Sequence, residues 1–209
     1  MILIAVGAVL ALVYGAVYCW REESWLRSAV KTASVVLPAV ALTGMGLPVL
    51  ALAGLWACVL GDFLLSRPGE TILKAGIGAF ALGHILYILA FVTVFPLDAP
   101  DGLFWGVTVA LLGLGVSTEV WLSPKTGALR PVVRGYVVLI LLMGVCAALP
   151  GVPRAYLLTG ALCFIGSDLI LSTQLFLGKG GRVSSYAVWG LYWAAQALIM
   201  VGFWRFVGV

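Results

Sequence analysis

The sequence predicts an all-α fold: a polytopic membrane bundle of eight transmembrane helices. Three observations carry that expectation: the scarcity of charge, the length of the apolar runs and the distribution of the basic residues. Of 209 residues, 63% are hydrophobic and 10% charged, whereas a water-soluble domain carries about a quarter charged residues. Mean hydropathy is +1.16. Apolar runs follow one another with short polar breaks, and no segment is polar enough to form a separate soluble domain. A single integral membrane domain over residues 1–209 is expected.

A crossing needs about 20 mostly apolar residues. The first run, 2–20, lacks a basic leader and meets Arg21 directly, so it reads as a retained helix instead of a cleaved signal. The second and third, 31–45 and 47–66, are parted only by the tight turn around Gly44, Gly46 and Pro48. Fused, they would be too long for one crossing, so two helices are expected. The remaining spans are 71–95, 103–122, 132–149, 154–177 and 184–207. Trp20, Trp25 and Trp121 flank span ends, where amphipathic aromatics sit at the membrane interface. Glycines spaced as Gly76/Gly83 and Gly106/Gly113 leave helix faces small enough for close backbone packing.

Eight crossings divide the connections between two sides. One side receives Arg21, Arg27, Lys31, Arg67, Lys74, Lys125, Arg130, Arg134, Lys179 and Arg182; the other receives only Arg154 and Arg205, with Asp98 and Asp101. This bias puts the basic loops in the cytoplasm and both termini outside, as in a multi-pass protein of a bacterial inner membrane. A single fused second span would set the later basic loops opposite the Arg21–Lys31 loop. The net charge of +4 is spread over short loops, not gathered into an arm, so nucleic acid is not an expected partner. Cys19, Cys58, Cys146 and Cys163 lie far apart in apolar runs and read as inert buried thiols.

Four ionisable residues lie inside spans: Asp62, His84, Glu119 and Asp168. Each is costly in hydrocarbon unless paired or facing a wet cavity, so each is a candidate for function. Asp62 lies about one turn, and Asp168 about two turns, from the inner ends of the third and seventh spans. His84 and Gln196 sit near the midplane, with Tyr87 and Tyr192 one turn away from them. The expected site is a pocket opening toward the inner leaflet. CVLGDFLLS in the third span echoes CFIGSDLILS in the seventh, which suggests a four-plus-four internal repeat of parallel sense. Structural roles compete. Asp62 has Arg67 or Lys74 as interfacial partners, His84 a backbone carbonyl to donate to, and Glu119 a place as interfacial anchor.

At these residues the chain resembles the YhhN-like lysoplasmalogenase family of multi-spanning membrane proteins. The matching features are Gly61-Asp62, Phe80-x-x-x-His84-x-x-Tyr87, Pro131 with Tyr136 and Met143, Gly160-Ala161-x-x-Phe164-x-x-Ser167-Asp168, and Tyr192-x-Ala194-Ala195-Gln196. Lys31-Thr32 departs from an expected Lys-Pro. The resemblance implies hydrolysis of the vinyl ether bond of lysoplasmalogens to a fatty aldehyde and a glycerophospho-base. The implied partners are a lysophospholipid substrate within the bilayer and the surrounding membrane lipids; oligomeric state stays open. Vinyl ethers hydrolyse by protonation at carbon, so one carboxyl must hold a proton near neutral pH while a second, ionised one steadies the cation. Asp168, expected to be the deeper, is the candidate acid, and Asp62 the candidate carboxylate. His84, Tyr87, Tyr192 and Gln196 would position water or the leaving oxygen, and Lys31 or Arg134 would hold the phosphate. No metal and no cofactor are expected. The rivals are a zinc hydrolase using His84 with both aspartates, a serine hydrolase using Ser66, Ser167 or Ser172, and a lipid or proton-coupled transporter.

Overall fold

A computed structural model describes residues 1–207. Helix α1 runs Ile2–Val13 and continues through a π turn at Tyr14–Tyr18. It is followed by α2 (Trp25–Thr43), α3 (Val49–Leu65), α4 (Glu70–Val94), α5 (Gly102–Trp121), α6 (Arg130–Ala147), α7 (Arg154–Leu177) and α8 (Arg182–Val207). Two short 3-10 turns, Ser123–Lys125 and Gly127–Leu129, join α5 to α6. Six of the helices, α2 and α4–α8, are long and apolar enough to cross a membrane. The apolar stretches Ile2–Tyr18 and Val49–Leu65 are shorter. At about 1.5 Å per residue, seventeen residues rise about 25 Å, the lower end of a crossing.

The element boundaries follow the sequence reading except at α2, which starts at Trp25 instead of residue 31. The cause is local. Ser24 adopts extended backbone and its Oγ accepts the Arg27 N–H at 3.1 Å, a helix N-cap. The polar turn that follows is held by internal partners: Ser28 Oγ donates to the Ser66 carbonyl at 3.1 Å, and Arg27 Nε to the Tyr18 carbonyl at 3.2 Å. A hydropathy window sees an apolar run begin only after these residues. The earlier start makes Lys31 a residue inside a helix, facing α3.

Successive connections fall alternately at two ends of the bundle. At one end, Arg27 and Ser28 tie the α1–α2 and α3–α4 connections together, and Arg182 stacks over the Trp20 ring at 5.3 Å. At the other, Asp98 N–H donates to the Pro150 carbonyl at 3.2 Å and Arg154 pairs with Asp101 at 2.6 Å. Gly151 here has φ +86°, and a Cβ would run into the Pro96 carbonyl, so the turn requires glycine.

The four-plus-four echo in the sequence has a counterpart in packing. The closest helix pairs are α3 with α4 and α7 with α8. Gly54 and Gly160 each stand eight residues before the aspartate of their helix. A Cβ on Gly54 would meet the Tyr87 ring and the Gly83 carbonyl; one on Gly160 would meet Ile199 and the Ala195 carbonyl. His84 follows Gly83 just as Gln196 follows Ala195. Close backbone contact at small residues draws these helices together, because hydrocarbon supplies no hydrophobic drive between them. Helix α5 is peripheral and packs chiefly on α6.

Candidate active site

Where α2, α3, α4, α6, α7 and α8 converge, an apolar cavity of about 130 Å³ contains Lys31, Asp62, Tyr136, Asp168 and Tyr192, with Phe80 against it. Leucines and isoleucines of α5–α7 make up much of the remaining wall. Such a lining, largely apolar with a few polar groups, suits an aliphatic chain.

Asp62 projects from the last turn of α3 and is 1% exposed. Its Oδ1 pairs with Lys31 Nζ of α2 at 2.9 Å. Its Oδ2 accepts the hydroxyl of Tyr192 from α8. Behind Tyr192 stands Gln196, whose amide N–H donates to the Tyr192 oxygen at 3.4 Å while its carbonyl accepts from Tyr87 at 2.7 Å. A chain of donors thus runs Tyr87, Gln196, Tyr192, Asp62. It ends on a carboxylate that accepts only.

Asp168 lies on α7, and its side chain is 18% exposed, toward the cavity. No lysine or arginine pairs with it among the described residues. Its Oδ2 accepts the hydroxyl of Tyr136 from α6. His84 of α4 is fully buried, with Nε2 2.9 Å from the Tyr136 oxygen and 3.9 Å from Asp168 Oδ2. Asp62 is therefore held directly from α2 and α8, whereas Asp168 is held from α6, with His84 of α4 reaching it through Tyr136. The electrostatics differ: Asp62 faces an ammonium, Asp168 a neutral phenol.

Several expectations change. Asp168, expected to be the deeper acid along its helix, is the more exposed of the two and Asp62 the more enclosed; depth along a helix and burial within a bundle are separate quantities. The interfacial partners suggested for Asp62 are engaged elsewhere, Arg67 over the Trp25 ring at 3.8 Å and Lys74 with Glu70 at 2.7 Å. Lys31 meets a carboxylate rather than an open phosphate pocket. Arg134 stands outside the cavity, on a neighbouring α5–α6 crevice, where it and Arg130 pair with Glu119. Tyr87, His84 and Gln196 support the cavity from behind instead of lining it. Among the described residues, His84 donates to no backbone carbonyl.

Tyr136 was named above only within a motif, without a site role. The available signal was its being the lone tyrosine of its span, a hydroxyl in otherwise aliphatic sequence. The serines proposed for a nucleophile are spent on carbonyls: Ser66 on Phe63 at 2.6 Å, Ser167 on Val188 at 3.0 Å and Ser172 on Leu169 at 2.7 Å. Among the described residues, no three His, Cys, Asp or Glu side chains cluster as a metal site would need. In the zinc set of His84 with both aspartates, the Asp62 oxygens are already taken by Lys31 and Tyr192.

A family model described as the YhhN family matches residues 26–203. The chain is 32% identical over 146 residues to proteins named lysoplasmalogenase from Mycobacterium bovis and Mycobacterium tuberculosis. The matched stretch covers 68% of this chain and 56% of those proteins, so the chain spans little more than half the length of these relatives. No solved structure matches the chain.

Proposed function

The chain belongs to the YhhN family, and from that premise we propose that it is a membrane-embedded hydrolase of lysoplasmalogens, cleaving the vinyl ether bond with Asp168 as acid and Asp62 as carboxylate. One observation carries the reading. Two aspartates meet one apolar cavity, one paired with a lysine and the other with a tyrosine hydroxyl and, among the described residues, no lysine or arginine. Vinyl ether hydrolysis needs that inequality.

In the proposed sequence, Asp168 gives its proton to the vinyl carbon distal to the ether oxygen. The C=C electron pair forms the new C–H bond, leaving an oxocarbenium ion. Asp62, its charge balanced by Lys31, steadies that cation and takes a proton as water adds. The resulting hemiacetal collapses: Asp62 returns its proton to the leaving glycerol oxygen, and the ionised Asp168 removes the hemiacetal hydroxyl proton. Aldehyde and glycerophospho-base leave with both acids restored. The aliphatic wall supports an alkenyl chain as the occupant. The excess of basic residues on one side supports basic loops in the cytoplasm, both termini outside and a bacterial cell membrane as the location.

The test is aldehyde release by the purified protein in vesicles containing lysoplasmenylethanolamine, with an acyl lysophospholipid as control and with a chelator arm. Expected are release from the vinyl ether lipid alone, no effect of chelator, and a loss of about 100-fold or more in both Asp62→Asn and Asp168→Asn. No turnover of any lysolipid by folded protein overturns the hydrolase. Activity lost to chelator and restored by zinc overturns the metal-free acid pair.

A further inference from the structure

We propose that Tyr136, held by His84, is a positioning residue that decides which oxygen of Asp168 carries the acid proton; this rests on the hydrolase reading above. The Tyr136 oxygen stands between two groups, His84 Nε2 at 2.9 Å and Asp168 Oδ2. A phenol has one hydrogen to give. The three groups can be ordered in two ways. In the first, His84 Nε2–H donates to Tyr136 and Tyr136 donates to Asp168. In the second, Asp168 gives its own proton to Tyr136, and Tyr136 donates to a bare Nε2.

The far side of the imidazole separates the two. His84 Nδ1 is buried without a hydrogen-bond partner among the described residues. In the first order, a neutral imidazole leaves Nδ1 as an unused lone pair. In the second it carries an N–H with nowhere to donate. An orphaned buried N–H is rarer than an unused acceptor, so the chain runs from His84 to Tyr136 to Asp168. The Phe164 ring, T-shaped against His84 at 4.7 Å between centroids, keeps the imidazole in this plane.

The chemistry follows from that direction. Oδ2 is occupied as an acceptor, so the acid proton sits on Oδ1. When that proton goes to carbon, the new carboxylate already holds a hydrogen bond, and the chain behind it polarises to strengthen it. In the reverse order the acid proton would point at Tyr136 and away from substrate. The three groups thus form a device for presenting a proton, built from α4, α6 and α7.

The test pairs kinetics with spectroscopy on the whole protein. Tyr136→Phe keeps the ring and removes the hydroxyl. It is expected to lower kcat about 10- to 100-fold, the worth of one hydrogen bond to a charged group, with KM unchanged and an enlarged solvent deuterium effect on kcat. His84→Gln, which can present an amide N–H near the Nε2 position, retains most of the activity, while His84→Leu behaves like Tyr136→Phe. Independently of turnover, the infrared carbonyl band of the protonated carboxyl, identified by its loss in Asp168→Asn, shifts upward in Tyr136→Phe. Kinetics of Tyr136→Phe within twofold of the parent, or equal damage from His84→Gln and His84→Leu, overturns the proposal. An infrared band unmoved in Tyr136→Phe does the same. An inactive parent whose band still shifts in Tyr136→Phe fails the hydrolase reading alone.

Discussion

The Lys31–Asp62 pair is where the residue scale matters most. Both groups are taken out of water, with side-chain exposures of 14% and 1%, and they stand 2.9 Å apart. Removing one partner leaves the other as an uncompensated buried charge, which costs about 3–5 kcal/mol. Lys31→Met is therefore expected to lower the unfolding free energy by that order, and adding Asp62→Asn to restore much of it, measured by thermal unfolding in detergent. The non-additivity of the pair is the signature. A Lys31→Met protein as stable as its parent but with a raised KM would return Lys31 to the phosphate-holding role first expected of it. Burial alone does not explain why these groups are tolerated. Each carboxylate oxygen of Asp62 has its own donor, and that full satisfaction is what a membrane interior demands.

At the scale of elements, the connections opposite the basic loops are tied by one exposed ion pair. Arg154 contacts both carboxylate oxygens of Asp101, at 2.6 and 2.9 Å, and also donates to the Ala148 carbonyl at 2.7 Å. Asp101 in turn caps α5, accepting the Phe104 N–H at 2.9 Å. The Arg154 guanidinium, with help from that backbone N–H, holds the Asp101 carboxyl down to about 2, below its ordinary 3.8. The sign follows: a depressed acid stabilises the fold above its ordinary value, and the contribution drains away as pH falls toward about 2. Asp101→Asn is expected to flatten that part of the stability-against-pH curve, read by thermal unfolding across acid pH. An unchanged curve would mean the tie contributes nothing measurable. Helix α5 is the element most exposed to this loss, because it packs chiefly on α6 and depends on its two ends for anchorage.

For the whole molecule, alternation of the helices makes a labelling prediction. In a background lacking the four native cysteines, Glu23→Cys and Lys179→Cys are expected to react with an impermeant thiol reagent only from the cytoplasmic side, and Asp98→Cys only from outside. Labelling of Glu23→Cys and Asp98→Cys from the same side would break the orientation. The halves of the bundle also exchange residues at the site. Asp62 from the first half needs Tyr192 from the second, and Asp168 from the second is linked through Tyr136 to His84 from the first. Neither half holds a complete set.

Class, helix number and the anomalous acids were all legible in the sequence, because each rests on a property of the chain in one dimension. Hydropathy marks a helix that must satisfy its own backbone in lipid, basic loops mark sides, and an aspartate in an apolar run is conspicuous wherever it points. The start of α2 was missed because Ser24 and the partners of Arg27 and Ser28 outweigh the local polarity. The partners of the two acids were beyond any linear reading. Lys31 and Arg134 are both basic residues near a span end, yet one lies on a face turned to Asp62 and the other on a face turned to Glu119. Which face a helix turns inward depends on its rotation and on close contacts such as those at Gly54 and Gly160. Those contacts join residues far apart in sequence. The chain alone therefore determined that two carboxylates lie within apolar helical segments. Packing decided that one meets an ammonium and the other a phenol, which makes them chemically unequal.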